Sequence, residues 1–277
     1  MSSQSPRIGF VFRTKKYCKK PTQDTRLLKD IIRLVKGKVQ PIIIDLNAVS
    51  LEVPHFNHEK KFNIICSMSR DPIILSLLSV YEIFGTPVIN SVRSVWISNN
   101  IPSIFALIAK EGIPTPSTNF IYSVSKIADS NKLLKKHKVL KRRGSGLKTF
   151  SKTDSLSKKL TFHQLDSNGL NVIQEFIKAD LEIKVYVIGR QVFLKNIKNS
   201  CCSSPFKKIL CRKLLSKIEE SAIQIGKLSG LEIYNVDILI KDSQFYVVDI
   251  NDFPSFEGIA KAAEKISSYI MQKAVYY

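Results

Sequence analysis

Asp237, Asp249 and Asn251 are the side chains of this 277-residue chain best placed to do chemistry. Asp237 interrupts the apolar run from Ile233 to Ile240, and Asp249 interrupts a second run from Gln244 to Ile250. Lys241-Asp-Ser243 between them reads as the turn of a hairpin. A lone carboxylate in apolar surroundings is costly to bury, so each needs a partner. Asp249 and Asn251 stand two residues apart and face one side of a strand. An antiparallel neighbour can bring Asp237 beside them. Three hard oxygen donors on one surface are what Mg2+ takes when phosphate oxygens complete its shell. Salt bridges to nearby lysines are the competing reading of the same carboxylates.

Three further segments carry chemistry. Val139-Leu-Lys141 delivers a lysine from a strand into the loop Arg142-Arg-Gly144-Ser145-Gly146. Such a lysine reaches a nucleotide phosphate, and the loop folds over it. This is not a P-loop, because no Gly-x-x-x-x-Gly-Lys followed by Ser or Thr occurs. Val172-Ile-Gln174-Glu175-Phe176-Ile177 runs from a strand into an extended stretch whose backbone suits an adenine edge. Lys184 and Tyr186 share one strand face, as a cation aimed at phosphate requires. Each segment also reads as an ordinary strand end or glycine turn.

Charge gives these residues a setting. Lys and Arg number 43 against 23 Asp and Glu, a net charge of +20. Residues 7–38 and 131–160 each hold eleven cations, against two acids and one acid, and residues 194–217 hold seven cations and no acid. Residues 232–257 hold six acids and one lysine. Several basic segments and one acidic island suit an anionic ligand with a metal. Nucleic acid is not expected, since no basic stripe interleaved with aromatics occurs. The five cysteines are odd in number and lack Cys-x-x-Cys spacing, which predicts free thiols in a reducing compartment. No apolar run is long enough to span a membrane, and the N-terminus lacks a signal-peptide core. A cytoplasmic monomer is expected.

The elements that must position these residues alternate. Strands are predicted at Arg7 to Phe12, Pro41 to Leu46, Phe62 to Cys66 and Thr86 to Asn90, with helices at Thr25 to Val35 and Ile73 to Phe84. This is the pattern of a small parallel α/β unit. A helix from Ile101 to Lys110 leads into Ile113-Pro-Thr-Pro116, an extended linker. Short strands follow at 119–123, 138–141, 171–175 and 183–188. A long helix, Cys211 to Leu228, precedes the hairpin, and a helix from Ile259 to Met271 closes the chain.

A strand lysine with a glycine loop, then Gln174-Glu175-Phe-Ile177, then Lys184-Val-Tyr-Val-Ile-Gly189, then Asp237 and Asp249-Ile-Asn251-Asp-Phe-Pro254, in this order, resembles the ATP-grasp superfamily. The resemblance runs from about Pro87 to the C-terminus. It implies an α/β (α+β) ATP-grasp fold. Residues 1–90 would form an N-terminal parallel α/β domain and 91–116 a helical connection. Residues 117–185 and 186–277 would be two α+β subdomains enclosing ATP. It further implies ATP and Mg2+ as cofactors. Lys141, Ser145, Gly146 and Lys184 would meet the ATP phosphates, and Gln174, Glu175 and Ile177 the adenine. Asp237, Asp249 and Asn251 would hold Mg2+.

Two branches differ in chemistry. Ile8-Gly9-Phe10-Val-Phe-Arg-Thr-Lys15-Lys16, the hinge and lysine strand, and Asn235-Val-Asp237 resemble the inositol trisphosphate 5/6-kinase family. That branch implies transfer of the γ-phosphoryl group of ATP to a multiply phosphorylated inositol. Lys184 would be catalytic, with Asp237 as an alternative base. Lys15, Lys16, Lys195, Lys198, Asn251 and Ser255 would hold the inositol phosphate. The family's His-Gly-Gly is absent, and Lys178-Ala-Asp-Leu-Glu182 stands there instead. Tyr81-Glu-Ile-Phe-Gly-Thr-Pro-Val-Ile-Asn90 and Glu111-Gly-Ile-Pro-Thr-Pro116 resemble the RimK-like ligases, which join a carboxylate to an amine through an acyl phosphate. The ligases' Arg-x-Asn and Gly-Gly segment is missing, since 195–211 contains no glycine. The kinase is the first expectation and the ligase the alternative.

Overall fold

The computed structural model describes residues 5–14, 21–45, 62–121, 139–142, 170–196 and 211–276. Strands β1 (Arg7–Val11), β2 (Gln40–Ile43), β3 (Ile64–Ser67) and β4 (Val88–Ile89) form a parallel sheet in the order β2-β1-β3-β4. All four residues of β3 are buried, because helices cover both faces of a parallel sheet. Helices α1 (Pro21–Val35) and α2 (Pro72–Ile83) supply that cover. Asp71 caps α2 by accepting a hydrogen bond from Ile73 N, and Pro72 opens its first turn.

Helix α3 (Val92–Asn99) is not among the expected elements. It is capped by Ser91 and buries Ser94 and Ser98 beside Val92 and Val95, so serines mask its apolar period. Helix α4 (Ile101–Lys110) follows at once. Strands β5 (Thr118–Ile121), β6 (Val139–Arg142) and β7 (Asn171–Gln174) form an antiparallel sheet in the order β5-β7-β6.

The remaining strands are β8 (Leu181–Ile188), β9 (Gln191–Asn196), β10 (Ile233–Lys241) and β11 (Gln244–Asp252). They form an antiparallel sheet in the order β11-β10-β8-β9. Strand β9 was not expected, and Gly189, at φ 60°, opens the turn into it. Helix α5 (Arg212–Ser229) ends on Gly230 in the left-handed conformation. Helix α6 (Ala262–Tyr276) starts later than its periodicity suggests, since Lys261 sits at φ 56°, outside helical geometry.

Alternation in β8 and β10 divides the core. Val185, Val187, Tyr234 and Val236 pack against Ile104 and Ile108 of α4 and Ile218 and Ile225 of α5. Tyr186, Ile188 and Ile233 point the other way and join Ile8, Phe10, Ile64 and residues of α1 and α6. The parallel sheet and the β11-β10-β8-β9 sheet therefore share one core.

The hairpin contains an irregularity. Asp242 and Ser243 occupy positive φ angles of 49° and 60°, as a tight hairpin turn requires. Pairing then runs regularly from Lys241↔Gln244 to Ile238↔Val247, but the next pair is Asp237↔Asp249. Val248 is the extra residue of a β-bulge. The burial of β11 changes phase there: Phe245 and Val247 are buried before the bulge, Ile250 and Asp252 after it. The bulge thus turns Asp249 and Asn251 onto the face that carries Asp237.

Two polar junctions tie the sheets together. Asn90 is buried, donates Nδ2 to Ile233 O at 2.7 Å, and accepts from the backbone N–H groups of Glu232 and Ile233. Asp252 is 2 % exposed and meets Arg70 Nε at 2.7 Å and Arg13 Nη2 at 3.8 Å, beyond the ends of β3 and β1. Asn99 Nδ2 also donates to it. Burial pushes the Asp252 carboxyl up, but Arg70 and Arg13 outweigh this and hold it below the usual carboxylate range.

Candidate active site

Each strand of the β11-β10-β8-β9 sheet contributes one charged residue to a single row. Asp249 pairs with Asp237, Asp237 with Lys184, and Lys184 with Lys195. Opposed residues of antiparallel strands share a face, so the row reads two carboxylates, then two ammonium groups. The neighbouring row is Asn251, Asn235, Tyr186 and Phe193.

The side chains interlock. Lys184 Nζ lies 3.0 Å and 2.9 Å from the two oxygens of Asp237. Asn235 Nδ2 donates to Asp237 Oδ1, and Asn251 Nδ2 donates to Asp249 Oδ2 at 3.1 Å. Burial raises Asp237 to about 6, Lys184 opposes this, and Asp249 across the ladder adds to the rise. Asn235 is absent from the expected site residues. The rule that paired Asp249 with Asn251 also puts Asn235 on the face of Asp237, two positions away, so its signal was present.

A turn from Phe253 to Gly258 closes over the row. Phe256 stacks on Tyr186 at 5.0 Å, and Ser255 lies half-buried within the turn. Lys195 Nζ donates to Glu257 O at 2.8 Å. Gly258 sits at φ 82° directly against the Lys195 side chain, and a Cβ there would lie 2.8 Å from Nζ.

The remaining expected positions are spread over other elements. Gln174 is buried at the end of β7 and donates to Thr118 Oγ1. The Glu175 N–H is already given to Ser117 O at 2.8 Å, so that donor is not available to an adenine. Ile177 follows in the half-buried stretch between β7 and β8. Lys141 lies on β6 opposite Val172. Lys15, Lys16, Ser145, Gly146 and Lys198 lie outside the described residues. Lys184, expected to point at phosphate, is instead paired with Asp237. Among the described residues no cluster of three His, Cys, Asp or Glu exists, so the oxygen set is two carboxylates with amides. No described helix is long and apolar enough to cross a membrane.

Comparison with known proteins places this geometry. Residues 98–272 match the RimK-like ATP-grasp domain. A "Probable alpha-L-glutamate ligase" of Saccharophagus degradans is 23% identical over 207 residues, covering 69% of this chain and 68% of that protein. One of the same name from Vibrio atlanticus is 27% identical over 201 residues, covering 67% and 65%. The chain thus spans about two thirds of the length of these relatives. A RimK domain ATP-grasp protein from Sphaerobacter thermophilus superposes with TM-score 0.70 at 14% identity, over 97% of this chain and 99% of that one. D-alanine–D-alanine ligase from Bacillus anthracis, complexed with ATP, gives 0.68 at 16%, over 98% of both chains. The ATP-grasp ligase PsnB, complexed with minimal precursor, Mg and ADP, gives 0.67 at 15%, over 99% of both.

These likenesses establish the ATP-grasp fold. They overturn the expectation of a kinase acting on an inositol phosphate, because the relatives are named probable alpha-L-glutamate ligases and the matched domain is the RimK-like one. The resemblance of 81–90 and 111–116 to the RimK-like ligases pointed to the branch that these comparisons favour. Matched over well more than half its length, the chain belongs to the RimK-like ATP-grasp family.

Proposed function

We propose that the chain is an ATP- and Mg2+-dependent ligase that joins a carboxylate to the amine of an amino acid, with L-glutamate the first amine to test. The observation that carries this reading is the charged row within a RimK-like domain: Asp249 and Asp237 beside Lys184 and Lys195. In the reaction proposed, a substrate carboxylate oxygen attacks the γ-phosphorus and ADP leaves. The amine then attacks the acyl carbon, inorganic phosphate departs, and the amine's proton is released.

Asp237, Asp249 and Asn251 would hold Mg2+, whose part is to neutralise charge on the ATP phosphates. The donor set suits it, since Mg2+ is usually bound through one or two carboxylates with phosphate oxygens completing the shell. ATP would lie between the β5-β7-β6 sheet and the row, with Gln174, Glu175 and Ile177 near adenine. Lys141, Lys184 and the loop holding Ser145 and Gly146 would meet the phosphates. Lys195, with Ser255 in the facing turn, would steady the carboxylate substrate, and Lys15, Lys16 and Lys198 would add positive charge around it.

The test is phosphate release from ATP and Mg2+ across a matrix of amines and carboxylate acceptors, including peptides. Release should require both partners, and Asp249→Asn should remove it while the folded spectrum is unchanged. Release that needs no amine, or an undiminished Asp249→Asn variant, would refute the reading.

A further inference from the structure

The row places a cation of the protein itself on one of the proposed metal ligands. Lys184 Nζ sits 2.9 Å and 3.0 Å from the two Asp237 oxygens, and Asn235 Nδ2 holds Oδ1 as well. Asp249 is not ion-paired in this way: its Oδ2 accepts from the neutral Asn251 amide. A divalent cation arriving alone meets one carboxylate free to bind it and one already neutralised. It also meets an ammonium group about 3 Å from the oxygens it needs, and like charges at that range in a half-buried site repel strongly.

We infer that Lys184 excludes free divalent cations from this site, and that the ligand the row accepts is a preformed metal–polyphosphate complex. The inference rests on the proposed assignment of Asp237 and Asp249 to the metal. A polyphosphate gives Lys184 a second anionic partner, and as the ammonium turns to it Asp237 loses its counter-charge and its Oδ2 opens. Metal and polyphosphate then strengthen each other's binding by one common factor. Lys184 thereby has opposite effects on the two components: it assists the polyphosphate and opposes the bare metal. A lysine that only bound phosphate would leave metal affinity unchanged on removal.

The experiment measures Mn2+ binding by the loss of the free-ion electron paramagnetic resonance signal, at pH 8 and without nucleotide. Wild type, Lys184→Met, Lys184→Gln and Asp249→Asn are compared as full chains, with circular dichroism reporting the fold. Lys184→Met and Lys184→Gln should bind Mn2+ at least about tenfold more tightly than wild type. Their affinity for a non-hydrolysable ATP analogue, read by calorimetry, should fall. Asp249→Asn should weaken Mn2+ binding in the presence of the analogue. If both Lys184 variants fold and bind Mn2+ no better than wild type, the exclusion is refuted while the metal assignment stands. If Asp249→Asn leaves Mn2+ binding with the analogue unchanged, the metal assignment fails and this inference falls with it.

Discussion

Asp237 is held by opposing forces, and the balance is measurable. Burial and Asp249 raise its carboxyl to about 6 in spite of Lys184. A raised value means that the folded protein holds the proton more tightly than the unfolded chain. The group therefore adds stability below about pH 4, and that contribution is lost as pH rises through about 6. Asp237→Asn should raise the unfolding free energy at pH 7 by about 1–3 kcal/mol. It should also flatten the fall in stability between pH 4 and 6, as read by urea denaturation across that range. A less stable variant at pH 7 would mean that Lys184 contributes more than burial takes away. At this scale the site was partly legible. Strand alternation links Asp249 to Asn251, and it also reaches Asn235, which needed only the same rule. The Lys184–Asp237 contact was not legible, because it depends on which strand lies beside β10.

Elements position the row through their ends. Asp252 follows Asn251 directly and is held by arginines that lie beyond β1 and β3. Arg13 and Arg70 are 7 % and 11 % exposed, so Asp252→Ala leaves the buried Arg70 guanidinium without its carboxylate and takes one of two from Arg13, which keeps Asp24 at 3.4 Å. The expected loss is about 3–5 kcal/mol in chemical denaturation. A loss below about 1 kcal/mol would show that water reaches these arginines. The long apolar strands, α5 and the hairpin were plain in the sequence. Strand β9 was not, because Val192, Phe193 and Leu194 are all half-buried and show no alternation. With β9 unseen, Lys195 had no visible reason to sit beside Lys184.

Over the whole molecule, the shared core decides how the chain unfolds. Phe10 and Ile64 of the parallel sheet pack in one cluster with Tyr186 and Ile233 of the second sheet. The two sheets should melt together in one calorimetric transition, and Phe10→Ala should destabilise that transition by about 3–5 kcal/mol. Two resolved transitions, with only one moved by Phe10→Ala, would contradict a common core. The fold class was legible at this scale because the order of motifs along the chain is specific. The reaction was not. Nucleotide and metal residues serve phosphoryl transfer to a hydroxyl and to a carboxylate alike. The +20 charge suggested a polyphosphorylated substrate, whereas the row itself holds two positive and two negative groups.

The bulge at Val248 separates regularity from activity. Pairing straight through it, with Val248 kept and set opposite Asp237, would let the hairpin run without interruption and would improve its hydrogen bonding. It would also rotate Asp249 and Asn251 into the greasy layer beneath the sheet and bring Ile250 up among the ligands. A redesign that rewards an ideal backbone would choose this register and produce a tidier, inert protein. Insertions and deletions between Asp237 and Asp249 are therefore constrained by parity: an even change can lengthen or shorten the hairpin and keep the bulge, while an odd one must add or remove a bulge to hold Asp249 opposite Asp237.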